Sequence, residues 1–184
     1  MKKLNLALAI LISAEAHLSQ IDKCGKPYII HPLAVMNETL NRYPEDEELA
    51  CCAVLHDVVE DADWFLEILE ENNQSFPYKK PGITKITYTI ANPKWGPIEI
   101  SKRQYNCINA LTHIGNSRSD TYDKYISNLM ENIDSMIIKL FDLEQNTKVT
   151  RMIGTTEKDI NRLEKYFKNY EKIKNKLEKI NKNK

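Results

Sequence analysis

No stretch of this 184-residue chain reaches the roughly 18 consecutive apolar residues that a membrane-spanning helix needs, and no membrane association is expected. The four cysteines (Cys24, Cys51, Cys52 and Cys107) contain no C-x-x-C pair, and two of them adjoin in an apolar stretch where cysteine behaves as a small hydrophobe. A disulfide framework is therefore not expected, which fits a reducing, cytoplasmic setting. Net charge is also missing, with 26 Lys/Arg against 26 Asp/Glu. The balance hides an uneven spread, because residues 157–184 hold ten Lys/Arg against five Asp/Glu and leave the remainder acidic. One further absence is local: between Leu49 and Asp63 there is no lysine, arginine or glutamine, although charged residues make up 28% of the chain.

That stretch contains Leu55-His56-Asp57-Val58-Val59-Glu60-Asp61. Read as one helix running from the Pro44 region to about Asp63, at about 100° per residue, it places His56, Asp57, Glu60 and Asp61 on a single face. Cys51, Cys52, Val54, Leu55, Val58 and Val59 cover the other side. A helix apolar nearly all round is a buried helix. Buried charges must be paired or must coordinate a metal. The competing reading is an amphipathic surface helix, which the missing lysine, arginine and glutamine argue against.

A second polar line runs through an apolar helix expected over Ser135 to Asn146, where Lys139, Asp142 and Asn146 are spaced i, i+3, i+7. Asp142 there needs a partner, either Lys139 or a metal already held by His56 and Asp57. His31, at the mouth of a helix with Pro32 at its first position, fits the same scheme. His17 and His113 have no carboxylate at ligand spacing and are set aside.

The rest reads as helical over a single domain, residues 1–184. A first helix is expected over about 4–19, in preference to a short signal peptide ending at Ala14-Glu15-Ala16. Tyr28 to Ile30 reads as extended, and Trp64 to Glu71 as a further helical piece. Residues 72–106 read as an insertion whose β-prone runs, Ile83–Ile90 and Ile98–Ile100, form a basic hairpin arm over about 78–103. Helices are expected again from about Tyr105 and over Asp120 to Met130. A long amphipathic, lysine-rich helix over 157–184 carries Ile160, Leu163, Phe167, Tyr170, Ile173, Leu177 and Ile180 as its apolar stripe.

Four segments together resemble the HD-superfamily hydrolase domain of RelA/SpoT-type alarmone enzymes, in particular its small stand-alone members. They are Lys23-x-Gly25-x-Pro27-Tyr28-Ile29-x-His31-Pro32, Leu55-His56-Asp57-Val58-Val59-Glu60-Asp61, Ala110-Leu111-Thr112 and Lys139-Leu140-x-Asp142-x-x-x-Asn146. The run Thr156-Glu157-Lys158-Asp159-x-x-Arg162-Leu163-x-Lys165-Tyr166 also matches. The resemblance implies an all-α HD-domain helical bundle. It implies His31, His56, Asp57 and Asp142 as ligands of one divalent ion, Mn²⁺ first, with Fe²⁺ or Zn²⁺ as alternatives. It implies Glu60 and Asp61 as the pair that handles the attacking water, and Lys23, Asn146, Lys148 and Arg151 as substrate contacts. The implied reaction is hydrolysis of the 3′-pyrophosphate of guanosine tetra- and pentaphosphate, and a synthetase domain is not expected.

Phe141, Glu144 and Gln145 depart from the family's motif, and the 72–106 insertion is longer than the connection the family uses. Two alternatives follow: an HD phosphohydrolase of another nucleotide, such as a 3′-phosphorylated cofactor like NADPH, or a non-catalytic, metal-stabilised binding protein. The expected partner is a small nucleotide, with nucleic acid considered only for the basic arm, which is expected to lie beside the active site. Oligomeric state is not legible. The metal reading requires Asp142 to lie within about 8 Å of His56, given first-shell bonds of about 2 Å.

Overall fold

A computed structural model describes residues 1–72, 83–113, 119–148 and 156–182. Its elements are β1 (Lys2–Lys3), α1 (Leu6–Ala16), α2 (Ile30–Arg42), α3 (Glu47–Val54), α4 (Val58–Asp61), β2 (Phe65–Asn72), β3 (Ile83–Asn92), β4 (Gly96–Ile100), α5 (Lys102–Leu111), α6 (Ser119–Leu129), α7 (Ile133–Asn146) and α8 (Glu157–Lys182). Helices dominate, but a four-stranded sheet of order β1-β4-β3-β2 corrects the all-α expectation. None of the described helices is long and apolar enough to cross a membrane.

α3 is the centre of the bundle. Asp46 caps it by accepting from the Leu49 N–H at 3.0 Å, and Glu47 and Glu48 complement the dipole in its first turn. Leu49, Ala50, Cys51, Cys52, Ala53 and Val54 are then all buried, so the helix is wrapped on every side as its composition requires. α1, α2, α5 and α7 pack around it. Small residues at 50 and 53 let those neighbours approach. α5 starts with a capping box in which Ser101 and Gln104 satisfy each other's backbone N–H groups. Asn132 caps α7.

The single helix expected through His56 to Asp63 is broken. α3 ends at Val54, Leu55 to Asp57 form a turn, and α4 begins at Val58. The cause is His56 itself: its Nδ1 donates to the Ala53 carbonyl at 2.8 Å, the acceptor that the Asp57 N–H would use in an uninterrupted helix. The break turns His56 inward and leaves Asp57 beside it.

Three further expectations are corrected. Tyr28 and Ile29 form a turn, not an extended piece, and α2 starts at Ile30, so Pro32 is its third residue, where its missing N–H is still harmless. The helix expected over about 4–19 is present as α1 but is shorter at both ends, from Leu6 to Ala16, with β1 ahead of it. Trp64–Glu71, expected helical, instead supplies β2, which pairs with β3 from Phe65↔Ala91 to Asn72↔Ile83. A long β-prone partner decides this, because strand preference depends on the neighbour more than on the segment.

β3 pairs antiparallel with β4, from Tyr88↔Ile100 to Asn92↔Gly96, and Gly96 takes the positive φ (69°) that closes the connection. β1 adds in parallel to β4. The sheet is no free arm, since Ile90, Ile98 and Ile100 are buried in the common core. α8 lies along α7 through buried Ile173 and a Tyr170 hydroxyl that donates to Glu144 Oε1 at 2.9 Å. Ile160 and Phe167, expected on its apolar stripe, are exposed.

Candidate active site

The α3–α4 turn, the start of α2 and the middle of α7 meet at one point. His31 Nε2 lies 3.0 Å from Asp142 Oδ1 and 3.8 Å from Asp57 Oδ2. His56 Nε2 lies 3.0 Å from Asp57 Oδ2 and 3.7 Å from Asp142 Oδ1. Asp142 is thus far inside the 8 Å limit. His31, His56 and Asp142 are all buried and form a group that can hold a metal ion, with ligand atoms within 4.8 Å of one another. Neighbouring donors each about 2.1 Å from one ion stand roughly 3 Å apart at a right angle and about 3.6 Å apart at a wider one. The four distances have these two sizes.

The chemistry of the donors also fits. With Nδ1 donating to Ala53, His56 presents Nε2 inward. That atom is buried and has no hydrogen-bond partner among the described residues, its 3.0 Å approach to Asp57 being a charge contact without hydrogen-bond alignment. Burial works against a charged imidazolium there, but Asp57 and Asp142 outweigh it and push the His56 pKa up to about 10. A cation bound between these groups would take the place of that proton. Asp57 and Asp142 are held below the usual carboxylate range against the cost of burial, Asp57 chiefly by His56 and Asp142 chiefly by Lys139. Of the two partners weighed for Asp142, Lys139 is in place, its Nζ 2.8 Å from Oδ2, while the imidazoles that would share a metal with it face Oδ1.

A cavity of about 640 Å³ opens over this cluster. Asp57, Glu60, Asp61 and Asp142 form its floor, and Lys23, Asn146 and Lys148 line its walls. Glu60 Oε2 accepts from the His113 backbone N–H at 3.0 Å, which fixes that carboxylate. Burial, then Asp57 and Glu60, push the Asp61 pKa up to about 6. The Asn146 amide donates to Asp142 Oδ1, so it braces a ligand as well as facing the cavity. Arg151 lies outside the described residues.

Several lining residues carried no site assignment in the sequence. Tyr28, His113, Tyr122, Tyr125, Arg162 and Lys165 all reach the cavity. His113 stacks against Tyr122 and Tyr125, with ring centroids 5.7 and 4.8 Å away. Lys165 Nζ sits 3.3 Å from the Tyr122 ring centre. Arg162 and Lys165, with Tyr166, are spaced i, i+3, i+4 on α8, a signal open to sequence reading but hidden among lysines. No described residue between Ala62 and Thr112 lines the cavity, and Lys79 and Lys80 of the basic arm lie outside the described residues. Of that arm's cations, Arg103 is held by Asp46 and Asp134, and Lys94 pairs with Glu15.

No model of a known protein family matches the chain. Among curated proteins it is 39% identical over 92 residues to the "Probable GTP pyrophosphokinase" of Mycobacterium leprae, covering 48% of this chain and 12% of that protein. It is 41% identical over 73 residues to the guanosine-3′,5′-bis(diphosphate) 3′-pyrophosphohydrolase of Aquifex aeolicus, covering 39% of this chain and 10% of the relative. The chain thus spans about a tenth of the length of these relatives. Among solved structures it superposes with a TM-score of 0.59 and 18% identity, over 94% of this chain and 84% of the other, on a protein described as "A metazoan ortholog of SpoT hydrolyzes ppGpp and plays a role in starvation responses". In sequence, over 39–48% of its length, the chain is similar to a protein named as a guanosine-3′,5′-bis(diphosphate) 3′-pyrophosphohydrolase and to one named as a probable GTP pyrophosphokinase, and in fold, over nearly all of it, to a SpoT ortholog.

Proposed function

We propose that the chain is a divalent-metal-dependent phosphohydrolase that removes the 3′-pyrophosphate of guanosine tetra- and pentaphosphate. The observation that carries this reading is the meeting of His31, His56, Asp57 and Asp142, drawn from three separated segments, beneath a cavity that also holds the carboxylates of Glu60 and Asp61. The names of the similar pyrophosphohydrolases point to the same substrate. Two imidazoles and two carboxylates suit Mn²⁺ or Fe²⁺.

The bound ion would supply Lewis acidity at the phosphoryl oxygen and a water of lowered pKa. Asp61, with its raised pKa, accepts the proton of the attacking water, and Glu60, fixed by the His113 N–H, orients that water. The water oxygen bonds to the phosphorus as the bond from that phosphorus to the 3′ oxygen breaks, and the proton passes to the leaving oxygen. Lys23, Lys148, Arg162 and Lys165 surround the cavity with the positive charge that a multiply phosphorylated nucleotide needs. Tyr122, Tyr125 and Tyr166 give it aromatic walls.

The test is a nucleotide panel with Mn²⁺, comparing pyrophosphate release from guanosine tetraphosphate with orthophosphate release from NADPH and other phosphorylated nucleotides. Pyrophosphate release that is lost in Glu60→Gln/Asp61→Asn supports the proposal. Turnover of another nucleotide alone would move the same site to a different substrate. No turnover by the Mn²⁺-loaded wild type would reject catalysis.

A further inference from the structure

The loop between α1 and α2 is built more tightly than a connection needs to be. Asp22 Oδ1 accepts from the N–H groups of Cys24 and Lys26 at 2.8 and 2.9 Å, and Ile21 and Pro27 form a bridge. Gly25, at φ 75°, makes the turn between them. The Tyr28 N–H donates to the Gln20 carbonyl at 2.9 Å, and the Tyr28 carbonyl accepts from the His31 N–H at 2.8 Å. The Gln20 side chain ties the same loop to His17 at 2.8 Å and to the Asp61 carbonyl at 3.1 Å.

These bonds deliver one group to the metal cluster. The Tyr28 hydroxyl donates to Asp57 Oδ2 at 2.7 Å, the same oxygen that faces His56 and His31. A carboxylate oxygen has two lone pairs, so it can receive the hydroxyl and still face the imidazoles. The Tyr28 ring is packed between His17 and His31, with centroids 5.0 and 5.7 Å away, which leaves its hydroxyl little freedom.

We propose that Tyr28 is a positioning residue of the metal centre, its hydroxyl holding Asp57 Oδ2 where that oxygen meets His56 Nε2 and His31 Nε2. This rests on the metal reading given above, and it adds a residue outside the ligand set. Lys139 and Asn146 brace Asp142 in the same way, so both carboxylates of the metal cluster, Asp57 and Asp142, have a side-chain donor bonded to them. Outer partners of this kind orient ligands and are worth about 10–100-fold in metal affinity.

The test is Tyr28→Phe, which keeps the ring and removes only the hydroxyl, with Mn²⁺ titrated into metal-free full-length protein by calorimetry. The expected result is a dissociation constant about 10–100-fold weaker than wild type. The near-UV circular dichroism of the metal-free protein should be unchanged. In turnover, the Mn²⁺ concentration for half-maximal rate should rise by the same factor. Gln20→Ala, which loosens the loop but keeps the hydroxyl, should bind Mn²⁺ within about twofold of wild type. Wild-type affinity in Tyr28→Phe would overturn the proposal, as would an equal loss in Gln20→Ala, because a generally slack loop would then explain the effect. A wild type that binds no Mn²⁺ would overturn the underlying metal reading as well, and so separates the two failures.

Discussion

Lys139 and the imidazoles hold opposite oxygens of Asp142, and this makes two substitutions diverge in a way that a purely structural aspartate would not allow. Asp142 and Lys139 are buried, with side chains 4% and 14% exposed. Removing either partner of such a pair leaves the other charge uncompensated, at a cost of about 3–5 kcal/mol. In a chain of this length about 1 kcal/mol moves Tm by roughly 2–4 °C, so Asp142→Asn and Lys139→Met should each lower the metal-free Tm by about 10 °C. Mn²⁺ then tells them apart. In Lys139→Met all four ligands survive and the ion itself neutralises Asp142, so metal at 100 times its dissociation constant should return about 2.7 kcal/mol, or about 8 °C. In Asp142→Asn an anionic ligand is gone and Lys139 remains buried without its counter-charge, so the same metal should return little. The assay is differential scanning calorimetry of both variants with EDTA and with excess Mn²⁺. Equal metal-induced shifts in Asp142→Asn and wild type would refute the assignment of Asp142 as a ligand.

Two further outcomes follow from the surrounding groups. Asp61 accepts a proton only when ionised, so with its pKa near 6 the rate should fall as pH drops through about 6, and Asp61→Asn should abolish that limb along with most activity. Because its folded pKa lies above the ordinary 3.8, protonation favours the fold, so the metal-free protein should gain stability from Asp61 as pH falls from about 6 towards 4. Thermal melts of wild type and Asp61→Asn across that range check the sign: the variant should be the more stable at pH 7.5, and the difference should shrink on acidification. Arg103 forks between Asp46 and Asp134, joining the starts of α3 and α7 away from the cavity. Arg103→Leu should cost about 1 kcal/mol, roughly 3 °C in Tm, with no change in nucleotide KM; a raised KM would place Arg103 in substrate binding.

What could be read from the chain divides along a physical line. The candidate cluster was legible because buried charge is rare: His56, Asp57 and Asp142 stand in segments too apolar to be surface, and three such residues need one another or a cation. Ligand geometry was not legible, because a helical wheel assumes an unbroken ladder of backbone bonds. His56 breaks that ladder by taking the Ala53 carbonyl, a competition between side chain and backbone that periodicity does not register. β2 was missed for a related reason, since Phe65-Leu66-Glu67-Ile68-Leu69 suits either period until β3 is present to pair with it. The cavity's far wall was hidden by redundancy: Arg162 and Lys165 lie in a helix where many positions are basic, and only packing against Tyr122 and the start of α7's polar line separates them from solvated lysines. Rarity of a residue in its surroundings, more than its chemical class, therefore set the limit of what sequence could assign. By that measure Tyr28, one tyrosine of nine, stood in the motif that carries the resemblance with no role assigned to it, and the role proposed here rests on the 2.7 Å contact that the tight loop before α2 imposes.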